Sequence, residues 1–220
     1  MTKEEILAKI LEVGIMPGIR TSSAEDGRFA ADAIAQGGIP IVEITMTVPK
    51  AIEVISDMAK NDPKVIVGAG TVLDLETARR CLDVGACFLT SPGLDVRVVE
   101  FAVRERVLMI AGAMTPSEVI QAWKAGSELV KVFPCAPIGG PAYMKALKGP
   151  FPQVPLMAAG GVNQETAAEF IYAGAAALGI GGRLIPKTAL EQRQAGKISE
   201  LARRFLRIVQ TARNKPARRK

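Results

Sequence analysis

Short apolar runs alternate with amphipathic stretches along the whole chain, and this alternation restricts the fold more than any other feature. The apolar runs lie at residues 14–19, 39–46, 65–70, 87–91, 108–113, 129–134, 155–161 and 175–182. Each repeat takes roughly 20 to 25 residues, which is enough for one strand and one helix with short connections. Repeats of this kind form right-handed βαβ units, so the pattern predicts a parallel sheet.

The number of repeats selects the architecture. About eight strand–helix units in one domain predict an α/β fold of the (β/α)8 TIM-barrel type. The first residues, "MTKEEILAKILEVG", add an extra N-terminal helix because they are amphipathic. We do not expect a signal peptide there, because the segment carries acids and lacks an apolar h-region. An open doubly wound sheet is the alternative, but no GxGxxG follows the first strand, which disfavours its dinucleotide-binding form.

Positive charge is concentrated at the end of the chain. The formal net charge is +6, but residues 201–220 contain eight Arg or Lys and no acid, so the rest of the chain is slightly acidic. We therefore expect a single domain at residues 1–210 and a flexible basic tail at residues 211–220. Binding of the tail to nucleic acid or to a membrane is the alternative, and we expect neither.

The composition excludes several kinds of chemistry. The chain has no histidine, which removes Ser-His and Cys-His pairs and all histidine metal sites. Cys81, Cys87 and Cys135 fit no disulfide framework or CxxC motif, so we expect no metal site and interpret Cys135 first as a small buried residue. No apolar run approaches the roughly 18 residues of a membrane span, and a cytoplasmic protein is expected.

Two charged residues interrupt apolar strands. Lys131 lies inside "LVKVFP" and Glu43 lies inside "IPIVEITM". Desolvation favours the neutral amine, which attacks a carbonyl carbon to form a Schiff base, and a carboxyl group can carry the proton transfers. A lysine that reaches the barrel rim or pairs with an acid for structural reasons is the alternative.

Glycines cluster after the last two predicted strands. Gly160 and Gly161 follow the seventh strand, and Gly181 and Gly182 follow the eighth. Barrel enzymes often bind phosphate at these two strand ends through backbone N–H groups, so the clusters indicate a phosphate site. Tight turns alone are the alternative.

Seven motifs, which span nearly the whole chain up to about residue 210, together resemble one enzyme family. They are "VEIT" around Glu43, "VGAGTV" (67–72), "TSPG" (90–93), "VKVFP" around Lys131, "KGPFPQV" (148–154), "GGV" (160–162) and "GIGG" (179–182). In this order they resemble the 2-keto-3-deoxy-6-phosphogluconate (KDPG) and 4-hydroxy-2-oxoglutarate (KHG) aldolases. The resemblance implies a class I, Schiff-base aldolase on a (β/α)8 barrel, typically a homotrimer, without a metal or organic cofactor.

The resemblance also implies roles for individual residues. Lys131 would form the imine with the keto acid, and Glu43 would act as the general acid and base. Arg20, at the end of the first strand, would bind the pyruvate carboxylate together with Thr71, and Pro92 would also belong to the pyruvate site.

The other half of the substrate is implied less directly. Gly160, Gly161, Gly181 and Gly182 would bind the phosphate. Arg183 is expected to add a charge-assisted contact to it, and the alternative is that this side chain points to solvent. Three positions depart from common family patterns: Thr47 replaces an arginine, Ala159 replaces a threonine associated with a substrate hydroxyl, and Arg183 replaces a serine.

The expected reaction is cleavage of KDPG to pyruvate and glyceraldehyde 3-phosphate, so the expected partners are a keto acid and a phosphorylated aldehyde. The galactonate epimer and 4-hydroxy-2-oxoglutarate are alternative substrates. A metal-free phosphosugar isomerase and a catalytically silent, self-assembling barrel are alternatives from other classes, because a fold alone does not determine function.

Overall fold

The computed structural model describes residues 1–214, which form a barrel of parallel strands surrounded by helices. The strands are β1 (Ile15–Ile19), β2 (Ile41–Thr45), β3 (Ile66–Gly70), β4 (Phe88–Thr90), β5 (Leu108–Ile110), β6 (Gly112–Ala113), β7 (Val130–Val132), β8 (Leu156–Ala159) and β9 (Ala177–Ile180). The helices are α1 (Lys3–Val13), α2 (Ala24–Gln36), α3 (Ala51–Asn61), α4 (Leu75–Asp83), α5 (Val96–Arg104), α6 (Pro116–Ala125), α7 (Gly140–Lys148), α8 (Ala167–Tyr172), α9 (Lys187–Glu191) and α10 (Ala195–Asn214).

The sheet closes on itself. Its strand order is β5-β4-β3-β2-β1-β9-β8-β7-β6, and each adjacent pair is parallel. Only Ala111 separates β5 from β6, and its carbonyl accepts a hydrogen bond of 2.8 Å from the Lys131 N–H on β7. The two ends of the sheet are therefore one interrupted strand, and the predicted (β/α)8 barrel with its extra N-terminal helix is confirmed.

Helix boundaries follow capping signals in the sequence. At the start of α6 the Thr115 hydroxyl accepts a hydrogen bond from the Glu118 N–H, and the Glu118 carboxylate accepts one from the Thr115 N–H. This reciprocal capping box satisfies two N–H groups that the first helical turn leaves free. Gly126 ends the helix with a left-handed φ of 108°, which glycine adopts without steric cost.

Two apolar layers restrict where chemistry can occur. Alternate side chains of the strands fill the barrel interior, and α1 closes its amino-terminal end. This inner cluster consists of Ile6, Ile10, Met16, Ile41, Ile66, Phe88, Leu108, Ile110, Leu129, Met157 and Ala177. A larger cluster packs the outer faces of the strands against the helices. The interior is thus filled at its amino-terminal end, which leaves the carboxyl ends of the strands for a site.

Helix α10 continues past residue 210. The predicted tail began at residue 211, but residues 211–214 are helical, and the rest of that prediction, residues 215–220, lies outside the described residues. The Arg213 guanidinium donates hydrogen bonds to the carbonyls of Glu12 (2.8 Å) and Ala176 (2.7 Å). It therefore fastens the helix to the base of the barrel. Across residues 1–214, no helix combines the length and the apolar character needed to cross a membrane.

Candidate active site

A cavity of about 540 Å³ opens at the carboxyl ends of five neighbouring strands, β2, β1, β9, β8 and β7. Its lining comes from these strands and the residues that follow them: Met16, Gly18, Arg20, Glu43, Thr45, Lys131, Phe133, Ala159, Gly160, Gly161, Val162, Gly179, Ile180, Gly181, Gly182 and Arg183. The cavity therefore brings together both candidate catalytic residues, Arg20 and every candidate phosphate-binding residue.

Lys131 and Glu43 meet inside this cavity. The Lys131 Nζ lies 3.5 Å from the Glu43 Oε1, and the two side chains are only 11% and 4% exposed. The same Nζ lies 5.6 Å from the centre of the Phe133 ring, which forms an apolar wall beside it. Each interrupted strand thus contributes one half of a buried ion pair, which offsets part of the cost of desolvating each charge.

A glycine on the neighbouring strand β3 makes room for the Glu43 carboxylate. Glu43 pairs with Gly18 on β1 and with Gly68 on β3. A Cβ placed on Gly70 would overlap the Glu43 carboxyl group, and a Cβ on Gly18 would come within 3.9 Å of its Oε2. The motif "VGAG" therefore contributes space to the site, a role that the sequence analysis did not identify.

A chain of hydroxyl groups fixes the strand end that carries Arg20. The Thr45 Oγ1 donates to the Ile19 carbonyl at 2.9 Å, and it lies 2.6 Å from the Thr47 Oγ1. Since the single Thr45 proton goes to Ile19, the Thr47 hydroxyl donates to Thr45. Arg20 follows Ile19 directly and extends, largely exposed, along the rim of the cavity.

The two glycine pairs differ in what the backbone requires of them. Gly160 and Gly161 have left-handed φ values of 82° and 93°, so a turn alone accounts for them. Gly182 has no such φ, and a Cβ there would meet no atom within 4 Å. The turn interpretation therefore does not explain Gly182, which leaves open space in the cavity beside the exposed Arg183.

Thr71 and Pro92 lie at strand ends outside the cavity lining. Thr71 has a left-handed φ of 60°, which is uncommon for a β-branched residue and is the kind of strain that clusters at functional sites. The Pro92 backbone packs so closely on Gly112 that a Cβ at that glycine would overlap it. Their role in pyruvate binding stays a prediction.

Two other sequence features have structural roles. The Lys148 Nζ donates hydrogen bonds to the carbonyls of Phe151, Pro152 and Val154 at 3.3, 2.9 and 2.8 Å. This ammonium group therefore holds the "KGPFPQV" loop, and burial lowers its pKa. Burial raises the pKa of the Cys135 thiol to about 11, so this cysteine stays protonated and is confirmed as a small buried residue.

The chain is similar to known aldolases over most of its length. The model of the family described as "KDPG and KHG aldolase" matches residues 6–201. A KHG/KDPG aldolase of Escherichia coli (strain K12) is 34% identical over 196 residues, which cover 88% of this chain and 92% of the relative.

Two solved aldolase structures superpose on most of this chain. The KDPG aldolase of Zymomonas mobilis ZM4, solved with 3-phosphoglycerate, superposes with a TM-score of 0.84 at 27% identity, covering 93% of this chain and 96% of that structure. The KDPG aldolase of Legionella pneumophila, with pyruvate captured as a covalent carbinolamine, gives a TM-score of 0.81 at 29% identity, covering 89% and 95%.

Proposed function

The chain belongs to the KDPG and KHG aldolase family, and from this premise we propose that it cleaves 2-keto-3-deoxy-6-phosphogluconate to pyruvate and glyceraldehyde 3-phosphate. The observation that carries the proposal is the nearly buried pair of Lys131 and Glu43, 3.5 Å apart, in the cavity at the strand ends. An amine and a carboxyl group are the two functions that Schiff-base cleavage of a keto acid needs.

Imine formation begins at Lys131. Glu43 takes a proton from the Lys131 ammonium group, and the neutral amine adds to C2 of the keto acid. The carbonyl oxygen receives the proton from the Glu43 carboxyl group and becomes the hydroxyl of a carbinolamine, while the nitrogen gives its extra proton to the Glu43 carboxylate. Glu43 then protonates this hydroxyl, which leaves as water, and the C2=N iminium forms. The Glu43 carboxyl group lies close enough to the Lys131 nitrogen to carry these protons with a small rotation.

Cleavage uses the iminium as an electron sink. Glu43 takes the proton of the C4 hydroxyl, the C3–C4 bond breaks, and its electron pair forms the C2=C3 bond of an enamine while the C=N π electrons move to nitrogen. C4 leaves as the aldehyde. A proton then returns to C3, and addition of water to the resulting iminium releases pyruvate and restores Lys131.

Cationic groups at the rim suit the two anionic ends of this substrate. Arg20 can hold the carboxylate of the pyruvate half with two parallel hydrogen bonds. Thr71 and Pro92, at the ends of β3 and β4, are proposed to contribute to the same half of the site. The phosphate fits the part of the cavity formed by the residues after β8 and β9, where Arg183 and the open space at Gly182 lie together with the other glycines.

The aldehyde half is where related substrates differ. Ala159 gives the cavity wall a methyl group instead of a hydroxyl, so it provides no hydrogen bond that selects the configuration of a substrate hydroxyl. The galactonate epimer and 4-hydroxy-2-oxoglutarate are therefore the competing substrates. Specificity constants measured for all three compounds with one enzyme preparation rank them.

A homotrimer is part of the proposal. Several large apolar side chains are at least 36% exposed in one sector of the molecule, from the loop after β3 to α6: Leu73, Val96, Val103, Met114, Ile120 and Trp123. Exposed apolar residues concentrated in one sector are typical of a protein interface. Light scattering should give about three times the 23.3 kDa mass of one chain, and a monomeric mass would contradict this part.

Trapping the imine tests the chemistry directly. Sodium borohydride added in the presence of pyruvate should reduce the Schiff base and leave one added group on Lys131, which peptide mapping identifies. Lys131→Met should stay folded and should not be labelled, because it keeps the volume and removes the amine. Labelling of another lysine, such as Lys145 or Lys148, would overturn the assignment.

A further inference from the structure

Thr90, the last residue of β4, has a hydroxyl group without a hydrogen-bond partner. Its side chain is fully buried, and its Oγ1 has no partner among residues 1–214. Phe88, two residues earlier, belongs to the cluster inside the barrel, so strand alternation points Thr90 to the interior as well. An unpartnered polar group therefore lies inside the barrel at its carboxyl end.

The Glu43 carboxylate lies across one glycine from this hydroxyl. Ala69 pairs with Leu89, so the next residues, Gly70 and Thr90, are neighbours on adjacent strands. The Glu43 carboxyl group occupies the space that a side chain of Gly70 would fill. Because adjacent strands lie about 4.8 Å apart, one water molecule or a small rotation of the carboxyl group can join the two.

The Thr90 hydroxyl lacks an acceptor for its proton, and the Glu43 carboxylate can accept a further hydrogen bond. A buried hydroxyl without a partner lowers stability, and valine would occupy the same volume without that cost. Within residues 1–214, the one ion pair of the Glu43 carboxylate is with Lys131, at 3.5 Å, and ionised carboxylates readily accept further hydrogen bonds. Packing alone therefore does not explain why a hydroxyl group lies beside this carboxylate.

We infer that Thr90 is a positioning residue for Glu43, whose carboxylate accepts a hydrogen bond from the Thr90 hydroxyl, directly or through one water. The bond holds the carboxylate in the orientation from which it takes and returns protons. The inference rests on the proposed function of Glu43 as the acid and base. It assigns to Thr90 no contact with the substrate, because its side chain is closed off from the cavity.

A suitable assay uses pyruvate alone, so it does not depend on the identity of the aldehyde. In the Lys131 iminium of pyruvate, Glu43 removes a C3 proton, the C–H electrons form the C2=C3 bond, and the C=N π electrons move to nitrogen. Reversal of this step in D2O returns a deuteron from the carboxyl group to C3. Loss of the pyruvate methyl signal in the NMR spectrum gives the exchange rate.

Thr90→Val should exchange the methyl protons about tenfold more slowly, which is the effect of losing one hydrogen bond to a charged group. Borohydride trapping at Lys131 should be as complete as in the parent, and the melting temperature should not fall. Thr90→Ser should restore the rate.

A double-mutant cycle distinguishes a failure of the Thr90 inference from a failure of the proposed role of Glu43. In a Glu43→Gln background, Thr90→Val should cause no further slowing, because the group that it positions is already lost. Unchanged exchange in Thr90→Val, or equal slowing in both backgrounds, would overturn the inference. If Thr90→Val fails to fold, Thr90→Ala removes the same hydroxyl and is judged by the same criteria. Parent-like exchange in Glu43→Gln alone would instead contradict the proposed role of Glu43.

Discussion

Gly70 and Glu43 share one volume in the barrel, because the carboxyl group of Glu43 occupies the place where a Cβ of residue 70 would stand. The two residues lie on neighbouring strands, β3 and β2, and the register places Gly70 opposite Thr45. The absence of a side chain on one strand is therefore a requirement for a charged side chain on the next. The carboxylate that we propose as the acid and base thus depends on a residue that has no functional group.

Gly70→Ala should therefore impair activity more than the addition of one methyl group suggests. The new methyl group must displace the Glu43 carboxyl group, and a misplacement of about 1 Å can cost roughly 100-fold in rate. Aldol cleavage measured by pyruvate release should fall by about that factor, and overpacking should lower the free energy of unfolding by about 1–3 kcal/mol.

Gly196→Ala is the matched control, since a Cβ at Gly196 in α10 would meet no atom within 4 Å. It should keep full activity and equal or greater stability, because alanine favours the helix. Parent-like turnover in Gly70→Ala would show that the carboxylate works from another position.

Much of this site could be predicted from the sequence because it obeys local rules. The apolar runs predicted all the strands found among residues 1–214, and a charge inside an apolar strand is unusual enough to mark Lys131 and Glu43. The need for Gly70 could not be predicted in this way. It arises because a side chain from a neighbouring strand leans over the glycine, which depends on the register and stagger of the closed barrel.

Other features depend on contacts between distant parts of the chain. The sequence predicts Arg213 as part of a basic tail, but its guanidinium donates hydrogen bonds to the carbonyls of Glu12 and Ala176, which are far away in sequence. Thr71 and Pro92 follow strands as expected, yet neither lines the cavity. Position at a strand end indicates the correct edge of the barrel, but the cavity opens at only five of the strands, and Thr71 and Pro92 follow two others.

Glu43→Gln should keep the fold and lose proton transfer. The amide has nearly the same shape but cannot act as an acid or base, and such losses typically cost about 100- to 10,000-fold in rate. Single-turnover cleavage after rapid mixing is the appropriate measurement. The circular dichroism spectrum should match that of the parent. Near-normal turnover in this variant would show that water or another residue carries out the proton transfer.

Arg183→Ser should reduce the preference for phosphorylated substrates. A charge-assisted hydrogen bond contributes about 1.5–3 kcal/mol, so the ratio of specificity constants for phosphorylated and unphosphorylated substrates should fall by roughly 10- to 150-fold. Arg183→Lys keeps the charge and should lose less. An unchanged ratio would mean that Arg183 points into solvent when the substrate is bound.

Acid should weaken the start of α6 through Glu118. Hydrogen bonds from the N–H groups of Met114 and Thr115 and from the Thr115 hydroxyl lower the pKa of this carboxyl group. Because the folded-state pKa lies below the unfolded value, the stabilisation is present above the unfolded value of about 4.3 and is lost as the pH falls through the folded value.

Glu118→Gln should accordingly be less stable than the parent at pH 7, and the difference in free energy of unfolding should shrink as the pH falls below about 4. Urea unfolding at several pH values measures it. Glu100→Gln, on the exposed face of α5, should show no comparable pH-dependent difference. If the difference in free energy of unfolding between Glu118→Gln and the parent stays constant at all pH values, the effect comes from the geometry of the amide alone.

Arg20→Ala tests how the carboxylate of the keto acid is held. Arg20 stands at the cavity rim, and the hydroxyls of Thr45 and Thr47 fix the strand end before it. Losing a charge-assisted pair should cost about 1.5–3 kcal/mol, or roughly 10- to 150-fold in specificity constant. The half-saturation concentration of pyruvate in the synthetic direction should rise and borohydride labelling of Lys131 should slow, while the melting temperature stays unchanged.

Thr47→Arg, added to Arg20→Ala, asks whether a cation on the neighbouring strand can replace the lost one. Position 47 follows β2, so a guanidinium there can approach the same end of the cavity from the adjacent strand. Partial recovery of pyruvate labelling would locate the carboxylate between the two strand ends. Because steric conflict alone can prevent such rescue, the single variant decides. If Arg20→Ala binds pyruvate and is labelled as readily as the parent, the carboxylate is held elsewhere and the assignment of Arg20 is wrong.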